Sequence, residues 1–232
     1  MMPVLFVEQV FCLRNNFNLG SMTIKIKEAA VDSADRAQEM IARGANRIEL
    51  NARLDLGGIT PDTRTIIDTL TIAGDIPVVI MVRPRGGDFA YDNTELNQML
   101  ETLQIVADLG GQHVTFGVVR NGSLDTDMMS TLIETADTLN LHVVMHMAFD
   151  EITKDQQQAA MQWLFTHGVT RILTHGGVLT TAITELMPQL EFLVDRAPVG
   201  MTILPGGGVT HDNADEIADV LGISEVHGTK IV

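Results

Sequence analysis

One junction recurs along the chain. A helix-like stretch ends in glycine and a short β-rich run follows, as in ARGANRIELN, ADLGGQHVTFGV, FTHGVTRILTHGG and DVLGISEVHGT. Glycine is the usual residue just past a helix C-terminus, because it enters the left-handed region without a Cβ penalty. Three more junctions use other breakers, in AGDIPVVIMVRPR, LNLHVVMHMAFD and DRAPVGMTILPGG. Strands are expected near 24–29, 46–50, 77–82, 113–118, 141–146, 170–174, 199–204 and 224–227. Helices are expected near 33–43, 61–72, 93–109, 125–139, 155–166, 179–190 and 212–220. Thr60-Pro61 puts a proline at a first helical position, and Asp92, Asn93 and Thr94 offer caps for the helix that follows them. Eight strands alternating with helices predict the α/β class, with a parallel sheet covered on its faces. Their even spacing favours closure into a (β/α)8 TIM barrel over an open doubly wound sheet.

The two ends depart from that plan. Only GTKIV follows the last expected strand, so the eighth helix is missing or substituted. Residues 22–232 read as a single barrel domain and residues 1–21 as an N-terminal extension. Either Met22 is the natural start and the extension is loosely ordered, or VLFVEQVFCLRNN forms a helix over the gap. A second subunit is the third candidate cover.

The formal net charge is −15, which argues against nucleic acid or an anionic membrane as partner, since both need a cationic footprint. It also makes any basic pocket stand out. The single cysteine, Cys12, allows no intramolecular disulfide and no Cys-rich metal site, and fits a reducing cytosol. The apolar start MMPVLFVEQVFCL is too short to span a bilayer and lacks the basic start of a signal peptide.

In such barrels chemistry sits at the C-terminal ends of the strands. Those ends carry Glu28; Glu49 and Asn51; Arg83 and Arg85; His146 and Asp150; Thr174, His175, Gly176 and Gly177; Gly206, Gly207 and Gly208; and Glu225 and His227. Alternation puts Val79, Met81 and Arg83 on one face, and His142, Val144 and His146 on one face. An inward Arg83 would meet Glu28 or Glu49 and remain open to an anionic ligand, with Arg85 at the rim. Candidate catalytic residues are therefore Glu28, Glu49, Arg83, His146 and Asp150. Candidate anion binders are Arg83, Arg85, Thr174, Gly176, Gly206, Gly207 and Gly208, because arginine forks and glycine-rich turns before a helix both hold anions. His146 and His227 are the candidate metal ligands. Met145 and Met147 are expected to alternate away from His146 and fill space between strand and helices.

RPRGGDFAY, HMAFD, RILTHGG and EVHG occur in this order, with GANRIELN followed by GGITP. Together they resemble the copper homeostasis protein CutC family over Met22 to Val232. The resemblance implies a (β/α)8 barrel, a homo-oligomer, a cytoplasmic setting and copper as the ion handled. The family's proposed cysteine ligands near the ends of the first two strands fall here on Ala30 or Val31 and on Asn51. Its usual HRAFD is HMAFD, with Met147 in place of arginine. The first functional expectation is thus copper binding or handling. The alternative is an isomerase, aldolase or lyase acting on a small anionic or phosphorylated metabolite, clamped by Arg83 and Arg85. In it Gly206 to Gly208 hold a phosphate, and Glu28, Glu49 or His146 is the general acid or base. A barrel that is mainly scaffold is the third expectation.

Overall fold

The structure is a computed structural model and describes residues 23–232. The expected extension, with Cys12, lies outside the described residues. Eight parallel strands form the barrel wall: β1 (Ile26–Val31), β2 (Arg47–Leu50), β3 (Val78–Met81), β4 (His113–Phe116), β7 (His142–Met145), β8 (Arg171–Thr174), β9 (Thr202–Pro205) and β10 (Glu225–Gly228). Hydrogen-bonded ladders run in the order β10-β1-β2-β3-β4-β7-β8-β9, and the end strands β9 and β10 lie side by side without a ladder. Seven α-helices appear among the described residues: α1 (Ala34–Ala42), α2 (Thr63–Ala73), α3 (Asn93–Asp108), α4 (Thr126–Thr138), α5 (Lys154–Thr166), α6 (Ile183–Arg196) and α7 (Ala214–Leu221). Among the described residues no helix follows β10. The last residues instead pair with the turn after β9 through Thr210 and Lys230, and Ile231 is buried.

Sequence chemistry sets the helix starts. Ser33, Asp62, Asp92 and Asp125 accept hydrogen bonds from first-turn amides of α1, α2, α3 and α4. Asp92 and Glu95 complete a capping box. Pro61 is not the first helical residue as expected, because Asp62 takes the cap and α2 begins at Thr63. A two-stranded hairpin, β5 (Val119–Arg120) with β6 (Ser123–Leu124), is not among the expected strands, although its turn, Asn121-Gly122 with both residues at positive φ, is a hairpin signal.

Alternation along each strand divides the core. Ala29, Val31, Ile48, Leu50 and Ile80 pack outward with the helices, whereas Ala30, Glu49, Met81, Leu173 and His227 face the barrel interior. The outer layer is apolar and the interior carries charge. Glu225 opens β10 rather than closing it, so it sits at the opposite end from the mouth, bonded to Arg171 and Arg47.

Candidate functional site at the barrel mouth

A cavity of about 380 Å³ opens at the C-terminal ends of the strands. Glu49, Asn51, Met81, Arg83, Phe89, His146, Met147, Leu173, Gly207, Gly208, His227 and Lys230 are among its lining residues. Glu49 and His227 lie within their strands, so they sit deeper than Arg83 and His146, which lie just past the ends of β3 and β7.

The deep group is built from three neighbouring strands. Ligand-type atoms of Glu28, Glu49 and His227 all lie within 4.8 Å of one another, and all three residues are buried. His227 Nδ1 is 2.7 Å from Glu28 Oε1, and its Nε2 is 3.9 Å from Glu49 Oε2. Arg47 Nε donates to the other oxygen of Glu28, and Arg47 Nη1 donates to Glu225 at 2.8 Å. Asn51 Nδ2 donates to Glu49 Oε2 at 2.9 Å. Burial alone would raise the Glu28 carboxyl, but the His227 hydrogen bond and the Arg47 charge outweigh it and lower its pKa to about 2. Burial dominates at Glu49 and pushes its pKa up. At His227 burial works downward, but the Glu49 and Glu28 carboxylates outweigh it and raise the pKa.

The upper group is a donor wall. Arg83 does not pair with Glu28 or Glu49 as expected. Its Nη1 donates to the carbonyls of Leu56, Gly57 and Gly58 at 3.3, 3.1 and 2.8 Å, and Nη2 donates to Gly87 at 2.7 Å. Phe89 lies under the guanidinium at 4.5 Å. These carbonyls are dipoles without net charge, and among the described residues no carboxylate forms an ion pair with Arg83. Its buried positive charge therefore has no counter-ion. His146 Nδ1 accepts from the Ala148 amide at 3.2 Å, which leaves the ring proton on Nε2. That Nε2 is buried and has no partner. Burial, then the Arg83 charge, lowers the His146 pKa to about 3, so the ring is a neutral donor. In this tautomer Nε2 offers no lone pair to a metal, which sets His146 apart from the Glu28, Glu49 and His227 group.

Other expected residues lie elsewhere. Arg85 bonds Asp88 and Glu95 and stacks on Tyr91 at 5.3 Å, so its charge is spent on its own loop. Thr174 and Gly176 do face an anion, but it is Asp150. Its Oδ2 accepts from the His175 amide at 2.8 Å, and its Oδ1 accepts from the Thr174 hydroxyl and from the Gly176 amide at 3.1 Å. The Gly206 amide is taken by the Thr174 carbonyl at 3.0 Å. Gly207 and Gly208 line the cavity at positive φ, 72° and 96°. Met147 does not fill space between strand and helices. A 3-10 turn, Met147–Glu151, begins after His146, ends the alternation and turns this side chain into the cavity. Arg47 was missed. Its signal was present in RIEL, where it shares a strand face with Glu49 two residues on.

Comparison with known proteins agrees with the family resemblance. The CutC family profile matches residues 25–232. A family protein CutC of Enterococcus faecalis is 41% identical over 210 residues, which cover 89% of this chain and all of the relative. The copper homeostasis protein cutC homolog of Homo sapiens is 32% identical over 203 residues, covering 87% of this chain and 72% of the human one. The crystal structure of a CutC protein from Streptococcus agalactiae superposes with a TM-score of 0.85 at 31% identity, covering 89% of this chain and 99% of that one. A 2,3-dimethylmalate lyase superposes at 0.61 with 16% identity over 89% of this chain and 76% of that one, which shows a common barrel fold. No helix among the described residues is long and apolar enough to cross a membrane.

Proposed function

This chain belongs to the CutC family, and from that premise we propose that its barrel mouth binds a small anionic metabolite and transforms it by proton transfer, as an enzyme of isomerase, aldolase or lyase type. One observation carries the reading: the buried charge of Arg83, without a carboxylate counter-ion, lines the same cavity as Glu49 and His227. A buried cation without a counter-ion favours an anionic guest, and arginine is the residue suited to hold one. His146 supplies a second unfilled donor. Gly207, Gly208 and Lys230 supply a further wall suited to a phosphate, at the position after the last two strands where barrels commonly bind one. Met81, Leu173 and Phe89 give the ligand an apolar bed. A cytoplasmic setting and a homo-oligomeric state complete the proposal, both carried by family resemblance.

Copper homeostasis is the second reading, favoured by the name of the human and mouse relatives. The donors fit copper(I) poorly. That ion prefers thiolate and thioether, and the cavity offers the thioethers of Met81 and Met147 but no cysteine. Both oxygens of Glu28 are already taken, by His227 and Arg47.

Two titrations test the readings together. Inorganic phosphate and pyruvate are titrated by calorimetry, and copper(I) by anaerobic competition against a chromophoric chelator. The proposal expects an anion to bind wild type and to bind Arg83→Met at least tenfold more weakly. Tight stoichiometric copper(I) binding with no anion binding would overturn it in favour of copper handling.

A further inference from the structure

We infer that Glu49 and His227 share one proton and exchange it with a carbon next to the carbonyl of a small 2-oxo acid, with Glu28 as the positioning residue for His227. This rests on the anion-binding reading above and gives it a substrate class and a chemical step.

The charges inside the barrel support it. Glu28 is matched by Arg47, and Glu225 by Arg171, whose Nε and Nη2 both reach that carboxylate. Once those pairs are set aside, Glu49 and His227 remain, with Arg83 of the donor wall above them in the same cavity. One Glu28 oxygen accepts from Arg47 Nε and the other lies 2.7 Å from His227 Nδ1, a contact that places a proton on that nitrogen. Nε2 is then the nitrogen that gains and loses the mobile proton, and it lies 3.9 Å from Glu49 Oε2. Imidazolium with carboxylate, or imidazole with carboxylic acid, leaves this pair with zero net charge. Moving the proton between them creates no isolated buried charge, which is the main cost of proton transfer in a low-dielectric site. His227 is thus held by one carboxylate at Nδ1 and turns Nε2 toward a second, the arrangement a proton relay between the two requires.

The donor wall complements it. Arg83 matches a carboxylate, and the neutral N–H of His146 matches a carbonyl oxygen on which charge develops. A neutral imidazole does this without giving up its proton. The smallest compound with an anion, a neighbouring carbonyl and an acidic C–H beyond it is a 2-oxo acid, and a cavity of about 380 Å³ holds one of few carbons. In the step, the C3–H bond breaks and the proton passes to a Glu49 oxygen. The C–H electron pair becomes the C2–C3 double bond of an enolate, and the carbonyl π pair moves onto the oxygen beside His146 and Arg83. Return of a proton from Glu49 or His227 Nε2 restores the keto acid, so in D2O the carbon acquires deuterium.

The test uses the full chain in D2O with pyruvate and 2-oxobutanoate. Loss of the C3 proton signals is followed by NMR, and binding is measured separately by saturation transfer. Wild type is expected to exchange at least about a hundredfold faster than buffer, the lower end of what a positioned acid or base contributes. Glu49→Gln should bind both acids and exchange near the buffer rate. Glu49→Asp, which keeps the carboxylate, should retain part of the rate and guards against a folding defect in the first variant. Glu28→Gln should lower the maximal exchange rate and leave the half-saturating concentration unchanged. Binding without exchange in wild type, or equal exchange in Glu49→Gln, overturns this inference and leaves anion binding standing. Failure of either acid to bind wild type removes the inference, and phosphate binding in the calorimetric titration then decides the broader reading.

Discussion

Asp150 places a half-buried carboxylate against one hydroxyl and two amides of the turn after β8. Burial is the larger influence and lifts its pKa from 3.8 to about 6, the donors working against it. Between those values the folded state binds more protons than the unfolded chain, so this group's contribution falls as pH rises from 3.8 through about 6. Asp150→Asn should remove that decline, seen as the difference between variant and wild-type urea stabilities across the interval. An unchanged difference would mean that the carboxylate is not buried in solution. Glu28 has the opposite sign, and its contribution is lost as pH falls from 4.5 towards about 2. Arg83 links stability to binding. Arg83→Met leaves four loop carbonyls without their donor and should cost about 2–4 kcal/mol in urea unfolding, from several lost charge-assisted bonds partly replaced by water. Arg83→Lys keeps the charge without the fork and should fall between that variant and wild type in anion affinity.

The loop after β2 connects the donor wall to the acid–base pair. Its 3-10 turn, Leu54–Leu56, runs into Gly57 and Gly58, whose carbonyls bond Arg83. Gly58 has φ 83°, and a Cβ there would run into Asn51 Oδ1. Asn51 in turn holds Glu49. Gly58→Ala should therefore lose about 1–3 kcal/mol of stability in urea unfolding and move Glu49 out of place. Full stability in that variant would show that the turn relaxes freely. At α3 the capping box predicts a smaller effect. Asp92→Ala should lower stability by about 1 kcal/mol, measured by thermal unfolding, with no change at the barrel mouth.

Across the whole molecule, a charge of −15 surrounds a mouth whose donor wall is positive. Self-repulsion destabilises the compact state and is screened by salt, so the thermal midpoint should rise with sodium chloride while anion binding weakens. A falling midpoint would mean that surface pairs such as Arg36–Glu39 and Arg64–Asp68 outweigh the repulsion. The order of the elements was legible in the chain itself. Glycine exits, side-chain caps and short apolar runs are local signals, and they predict eight strands alternating with seven helices. The mouth residues were legible as polar positions near strand ends, because period-2 alternation is also local. Their partners were not. Arg83 turned to carbonyls of a neighbouring loop, Glu28 to Arg47 and His227, and the Thr174 turn to Asp150. The pairing of Glu28 with His227 spans 199 residues, and only closure of the strands into a ring brings the two within 2.7 Å. Periodicity along the chain determines which face a side chain takes. Which charge it meets on that face depends on strand register, loop path and competing donors, and those exist only once the barrel is assembled.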